Sequence, residues 1–444
     1  MNLLYLSFAI FRTPDASRPW AGEVKLLKPR LFTRQLLLAT LLPLLLNLFS
    51  AAAAAQSISF SSPAKYGSGG TASTAVCAGD FNGDGKADLA VANQNSYNIG
   101  ILLGKGDGTF YPVSSFSAGY SPRAITSVDL NLDGKLDLVV ANETGNDLSV
   151  LVGNGDATFM PALNYGPIDR PEHIVAADLN LDGMPDLAVA GFGGTLFVLN
   201  GNGDGTLQTP TSYATGAASK SSVAGDFNKD GKPDLAVANQ DSGNLSVLLN
   251  SGDGTFSPAA SYTTAPYPTS ITLGDFNRDG NPDLATTDIG TYSNGYISGN
   301  GFVSILLGRG DGTFQEAVNY SVGLVPYSAV VCDLNGDGLP DVVVANAYSN
   351  SITVLVGRGD GTFATSMNFV TGEPSTPFSL ALSDFNGDQK DDIATANFVD
   401  SSISVLINQT AQSSLMSVKS ANSKSSTNTR PQNSKPAHQS KSSR

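Results

Sequence analysis

Between residues 57 and 408 the chain is built from short apolar runs separated by polar, Gly-rich turns. Residues 221–264 show the unit. "SSVAGDF", "DLAVAN", "LSVLLN" and "FSPAASYTT" follow one another, rich in Val, Leu and Ala, with the two-residue alternation of strands. No segment of this region has a 3.6-residue apolar period, so no helix is expected. The four-run unit returns about every 50 residues. A short four-stranded unit cannot bury both of its faces alone and must pack on its neighbours. The pattern predicts an all-β fold, a seven-bladed β-propeller of four-stranded antiparallel blades over residues 56–410.

The period is marked by two motifs. "DFNGDGKAD" starts at Asp80, and variants start at Asp129, Asp178, Asp226, Asp275, Asp333 and Asp384. Successive starts lie 49, 49, 48, 49, 58 and 51 residues apart. "GDGTF" spans Gly106–Phe110 and recurs at Gly252, Gly310 and Gly359, with "GDATF" at Gly155 and "GDGTL" at Gly203. Asp-Gly between two strand-like runs signals a hairpin. The last unit ends at "SISVLIN" (Ser402–Asn408) without a fourth strand, and "SISFSSPAKY" (Ser57–Tyr66) precedes the first loop. The N-terminal strand is therefore expected to complete the seventh blade and close the ring. A linear solenoid is the alternative, but it needs capping units, and none is evident.

Composition narrows the chemistry. Two Cys (Cys77, Cys332) exclude a disulfide framework, and two His (His173, His438) leave little room for a multi-His zinc site. The net charge of −14 is uneven: +4 over residues 1–55, +6 over 411–444, and about −24 between. Such an acidic middle argues against nucleic acid as a partner and suits divalent cations. Residues 36–49, "LLLATLLPLLLNLF", follow Lys25, Lys28, Arg30 and Arg34 and precede "SAAAAAQ". That is the layout of a secretory leader, with cleavage expected after Ala55. A retained anchor is the alternative, although the apolar run is short for a bilayer span. Residues 411–444 are rich in Ser, Asn and Lys and read as a disordered basic tail.

The nine-residue loops and their spacing resemble FG-GAP/VCBS-type repeats, whose blades form propellers like the integrin alpha-subunit head. The resemblance implies that each loop joins the first and second strands of a blade and binds calcium. The residues agree with that. Calcium takes six to eight oxygens. Position 1 supplies Asp80, Asp129, Asp178, Asp226, Asp275, Asp333 and Asp384; position 3 supplies Asn82, Asn131, Asn180, Asn228, Asn277, Asn335 and Asn386. Position 5 supplies Asp84, Asp133, Asp182, Asp230, Asp279, Asp337 and Asp388. Backbone carbonyls are expected from position 7: Lys86, Lys135, Met184, Lys232, Asn281, Leu339 and Lys390. Asp88, Asp137, Asp186, Asp234, Asp283, Asp341 and Asp392, at position 9, are the expected closing carboxylates. Up to seven Ca2+ are expected, one per blade. The seventh loop, with Gln389 where the others have Gly, should be the weakest.

Function is expected at the opposite end of the ring. Arg123, Arg170 and Lys220 fall in three successive connections between blades, either as an anion site or as ordinary solvated charges. The 58-residue spacing marks an insertion, "YSNGYISGNG" (Tyr292–Gly301), whose Tyr292 and Tyr296 suit contact with a sugar or protein; a tolerated loop expansion is the alternative. No catalytic constellation is recognised, and His173 has no Ser or Cys arrangement beside it in sequence. The reading is a secreted, monomeric, calcium-binding propeller that acts as a binding or adhesion module for an extracellular protein or glycan. A calcium-dependent polysaccharide lyase or hydrolase is the alternative.

Overall fold

The structure is a computed structural model that describes residues 58–411 apart from 294–295. The expected leader (1–55) and all but the first residue of the expected tail (411–444) lie outside the described residues.

Seven sheets of four antiparallel strands form the blades, together with one small two-stranded hairpin. The inner strands are Ser73–Gly79, Pro122–Val128, Pro171–Ala177, Ser219–Gly225, Pro268–Gly274, Pro326–Cys332 and Pro377–Ser383. Each packs on the inner strand of the next blade, and the seventh packs on the first, which closes the ring. The expected closure by the N-terminal strand is present: Ala64–Gly67 pairs with Ser402–Leu406, Ala64 opposite Val405.

Burial follows the sequence pattern strand by strand. The second strands, such as Asp88–Asn93 and Asp234–Asn239, are buried at every position. Their near-continuous Leu, Ala and Val runs face a neighbouring blade on both sides, where an alternating strand would bury only one. The outer strands, such as Ser114–Ser117, are mostly exposed and correspondingly polar. Between blades one and seven the core holds Val76, Leu89, Val91 and Phe110 against Phe385, Ala394 and Val405, so apolar packing seals the closure.

The "GDGTF" turns do more than reverse the chain. Phe110 packs edge-on against Phe385 of the preceding blade, with ring centroids 5.6 Å apart. Phe314 meets Phe227 in the same way at 5.5 Å, and Phe363 meets Phe276 at 5.6 Å. Main-chain bonds reinforce these contacts: Gly108 N–H donates to the Phe385 carbonyl at 2.8 Å, and Gly361 N–H to that of Phe276 at 2.9 Å. Each such turn latches onto the acidic loop of the blade before it.

Candidate functional site

All seven acidic loops connect an inner strand to a second strand and lie at one end of the ring. Their local geometry is repeated closely. In loop one, Asp84 N–H donates both to Asp80 Oδ1 at 3.1 Å and to Asn82 Oδ1 at 2.9 Å, so the oxygens of positions 1 and 3 share one donor. The same pair of bonds reaches Asp133, Asp182, Asp230, Asp279, Asp337 and Asp388. Such Asx turns fold the loop locally. The position-5 carboxylates attract cations: Lys86, Lys135, Lys232 and Lys390 each bring Nζ to the Asp two residues before, at 3.1, 3.5, 3.2 and 3.4 Å.

The position-9 Asp residues have a role that spacing did not reveal. Each is fully buried. Asp88 Oδ2 accepts the Phe81 N–H at 3.0 Å, and its Oδ1 accepts the Gly104 N–H at 2.7 Å. Asp234 does the same for Phe227 and Asn250, and Asp392 for Phe385 and Asn408. One carboxylate thus ties the start of the acidic loop to the end of the third strand. Burial raises the pKa of these groups despite the two amides, to about 6 for Asp88 and about 7 for Asp341.

The all-oxygen donor set suits a hard dication, with the position-1 and position-3 oxygens here accepting the position-5 N–H. Among the described residues, however, no three His, Cys, Asp or Glu are gathered into one ligand set. The position-9 carboxylates point to backbone amides, and each of their oxygens keeps a further lone pair.

At the opposite end, a second sevenfold feature surrounds the axis. The pairing register of every inner strand slips at its second residue, as between Pro122 and Ala124. The residues left at the slip are Thr74, Arg123, Glu172, Lys220, Thr269, Tyr327 and Phe378, and all seven line one cavity of about 220 Å³. A β-bulge re-aims a side chain, here toward the channel mouth. Glu172 Oε2 accepts Arg123 Nε, and its Oε1 accepts Lys220 Nζ, both at 2.8 Å. Burial opposes ionisation of Glu172, but the two cations outweigh it and hold its pKa low. Burial lowers the Lys220 pKa, with Glu172 working against the shift. Across the mouth, Tyr327 and Phe378 stack at 4.2 Å, and the Arg123 guanidinium lies 5.9 and 5.8 Å from their ring centroids.

The three cations expected as neighbours lie at this one end, but of the three it is Arg170 that sits in a connection between blades. Arg123 and Lys220 belong to inner strands and share a buried glutamate, which two positive charges hold in place. Arg170 lies beside them: it is half exposed, reaches Glu143 at 3.4 Å and stacks over Phe192 at 4.0 Å, the ring that Lys220 Nζ also approaches at 4.5 Å. The insertion forms a hairpin, Thr291–Ser293 with Tyr296–Ser298, which places the backbone of Tyr292 and Tyr296 at this same end. His173 Nδ1 is 3.5 Å from Ser222 Oγ, but burial lowers its pKa to about 4, so the imidazole is neutral. Cys77 and Cys332 are free thiols.

Five of the ring residues, Thr74, Glu172, Thr269, Tyr327 and Phe378, were missed although a signal was present. Each lies six residues before the first Asp of its loop. That column varies from blade to blade, whereas the neighbouring columns repeat.

The FG-GAP-like repeat matches residues 80–140, 129–189, 178–237, 226–286, 293–344 and 333–395, well over half of the chain. The chain belongs to the FG-GAP-like repeat family. This FG-GAP-like protein also resembles solved propellers. BBS1N, in its complex with ARL6DN, superposes with a TM-score of 0.56 at 14% identity, over 80% of this chain and 98% of that one. An Agrocybe aegerita lectin that recognises non-reducing terminal N-acetylglucosamine gives 0.49 at 20% identity, over 76% and 85%. At these identities the likeness is one of fold alone. No curated protein matches the chain. Among the described residues no helix is long and apolar enough to cross a membrane.

Proposed function

We propose that this FG-GAP-like protein is a secreted, monomeric, calcium-loaded propeller that binds an extracellular protein or glycan with the end of the ring opposite its acidic loops. The observation that carries the reading is the sevenfold meeting of position-1 and position-3 oxygens on the position-5 amide, all at one end. Asp at positions 1 and 5, Asn at 3, the carbonyl at 7 and Asp at 9 are the residues that would hold the ion. Bound calcium would supply positive charge that cross-links the loop. Seven ions would offset much of the −24 of the middle segment, and a lysine ammonium already occupies part of that role in four loops. The leader-like segment at 36–49 supports export. The variable residues cluster at the other end, which leaves the acidic loops a structural role.

The test has two arms. Thermal unfolding of the full chain is compared in calcium and in EDTA; a large loss of Tm on chelation is expected, and an unchanged Tm defeats the calcium assignment. Arrays of glycans and extracellular proteins are then probed with and without calcium, with a product assay on every hit. Calcium-dependent capture of unchanged ligand supports a binding module. Product from an acidic polysaccharide establishes the enzyme alternative instead.

A further inference from the structure

The ring of bulge residues is not what packing alone would produce. Two of its members do serve packing: Thr74 Oγ1 donates to the Pro122 carbonyl at 2.9 Å and Thr269 Oγ1 to that of Pro326 at 2.7 Å, each joining its blade to the next. The other five positions abandon Thr. Blades two to four supply Arg123, Glu172 and Lys220, and blades six and seven supply Tyr327 and Phe378, so one cavity has a charged wall and an aromatic wall.

The charged wall is not balanced. Arg123 and Lys220 meet Glu172, and Arg170 beside them meets Glu143, so three cations face two carboxylates and one positive charge is left over within a strongly acidic domain. Arg123 uses Nε on Glu172, and neither of its Nη groups meets an acceptor among the described residues. The guanidinium is held on one side by a buried glutamate, lies 5.9 and 5.8 Å from the Tyr327 and Phe378 ring centroids, and lines the cavity. The hydroxyls of Ser270 and Ser328, which line the same cavity, also lack a hydrogen-bond partner among the described residues. The cavity, of about 220 Å³, has room for a small ring-sized ligand.

We infer that the channel mouth binds a single-ring sugar acid of the hexuronate type, with its carboxylate on the Nη groups of Arg123, its hydroxyls toward Ser270 and Ser328, and its apolar face toward Tyr327 and Phe378. Arg123 pairs with a carboxylate through parallel N–H bonds, Lys220 and Glu172 hold it in place, and the ligand neutralises the spare charge. The proposal rests on the reading of this protein as a binding module and names its ligand class.

The test is calorimetric titration of the full chain with galacturonate and glucuronate, with galactose and benzoate for comparison, in calcium and in EDTA. Uronate is expected to bind, galactose not to bind, and benzoate to bind more weakly than uronate. Arg123→Gln should weaken uronate by at least about tenfold. Glu172→Gln should weaken it too, because an amide N–H then faces Lys220 or Arg123 and the guanidinium loses its anchor. Arg123→Lys keeps the charge but not the planar pair of N–H groups and should weaken uronate less than Arg123→Gln; a Tm equal to the parent's in both variants separates recognition from stability. Benzoate binding without uronate, or equal affinity in Arg123→Gln, overturns the proposal. If uronates fail while array ligands still bind, this inference falls alone; if nothing binds, the module reading falls with it.

Discussion

Asp288 Oδ2 accepts the Ser304 hydroxyl at 2.7 Å inside blade five, where blades two, four and seven place an Asn Nδ2 donating to a Ser at the same register. The Asp288 side chain is fully buried, with hydroxyls for partners, and burial raises its pKa to about 8. The ordinary value is about 3.9. The folded state therefore keeps this proton between about pH 4 and pH 8 while the unfolded chain loses it. Stability is greatest below that window and falls as pH rises through it, with a limiting slope of about 1.4 kcal/mol per pH unit. Asp288→Asn restores the pattern of the other blades. It should raise stability at pH 7.5 by roughly 1–3 kcal/mol, and the gain should shrink toward pH 5. Denaturant unfolding at the two pH values measures this; a gain that is independent of pH refutes the assignment.

The staple at position 9 is separable from any metal role. Asp234 holds the N–H groups of Phe227 and Asn250 at 2.9 and 2.8 Å, and both bonds are buried. Asp234→Asn turns one acceptor into a donor facing a donor. A loss of roughly 1–3 kcal/mol is expected in EDTA as well as in calcium. Asp226→Asn at position 1 should instead cost more in calcium than in EDTA. If the Asp234→Asn loss disappears in EDTA, the carboxylate serves only as a metal ligand.

Much of the fold was legible because it is periodic. Seven loops at one spacing, the fully apolar "DLAVAN" strand and the missing fourth strand of the last unit specified blade count, strand order and closure. What was not legible depends on contacts between units. The "GDGTF" phenylalanines look like turn residues, but Phe110 reaches the neighbouring blade's Phe385. The bulge that turns Arg123 and Glu172 into the mouth is a one-residue slip in pairing, which alternation alone does not place. Charges that looked free in the sequence, Arg123 and Lys220, were assigned without the buried glutamate 49 and 48 residues away.

Loop seven carries local strain. Gln389 holds φ +68°, where the equivalent Gly85 and Gly231 stand at +78° and +83°. A left-handed conformation costs an ordinary L-residue about 1–2 kcal/mol, offset in part by the greater unfolded-state freedom of glycine. Gln389→Gly should therefore stabilise by roughly 0.5–1 kcal/mol. Calorimetric unfolding in EDTA checks this apart from any effect on calcium; an unchanged or lowered Tm means that the loop tolerates Gln without strain.

The closing strand gives the most direct test of the ring. The segment from Ser59 to Gly67 joins the C-terminal blade through the pairing of Ala64–Gly67 with Ser402–Val405, through Ser61 N–H on the Ile407 carbonyl at 2.8 Å and through Gln409 N–H on that of Ser59 at 2.8 Å. Phe60 adds an edge contact with Phe369 at 4.9 Å, and Tyr66 one with Phe110 at 5.3 Å. A chain that begins at Ser68 loses all of these and leaves Ser402–Leu406 as an unpaired edge, open to pairing with a second molecule. With each main-chain bond contributing about 1 kcal/mol net, truncation should cost several kcal/mol and promote association seen by size-exclusion chromatography. A synthetic peptide of residues 57–67 should restore the Tm, because the lost contacts are confined to that segment. A truncated chain with the parent Tm would show that apolar packing between blades one and seven closes the ring without the strand.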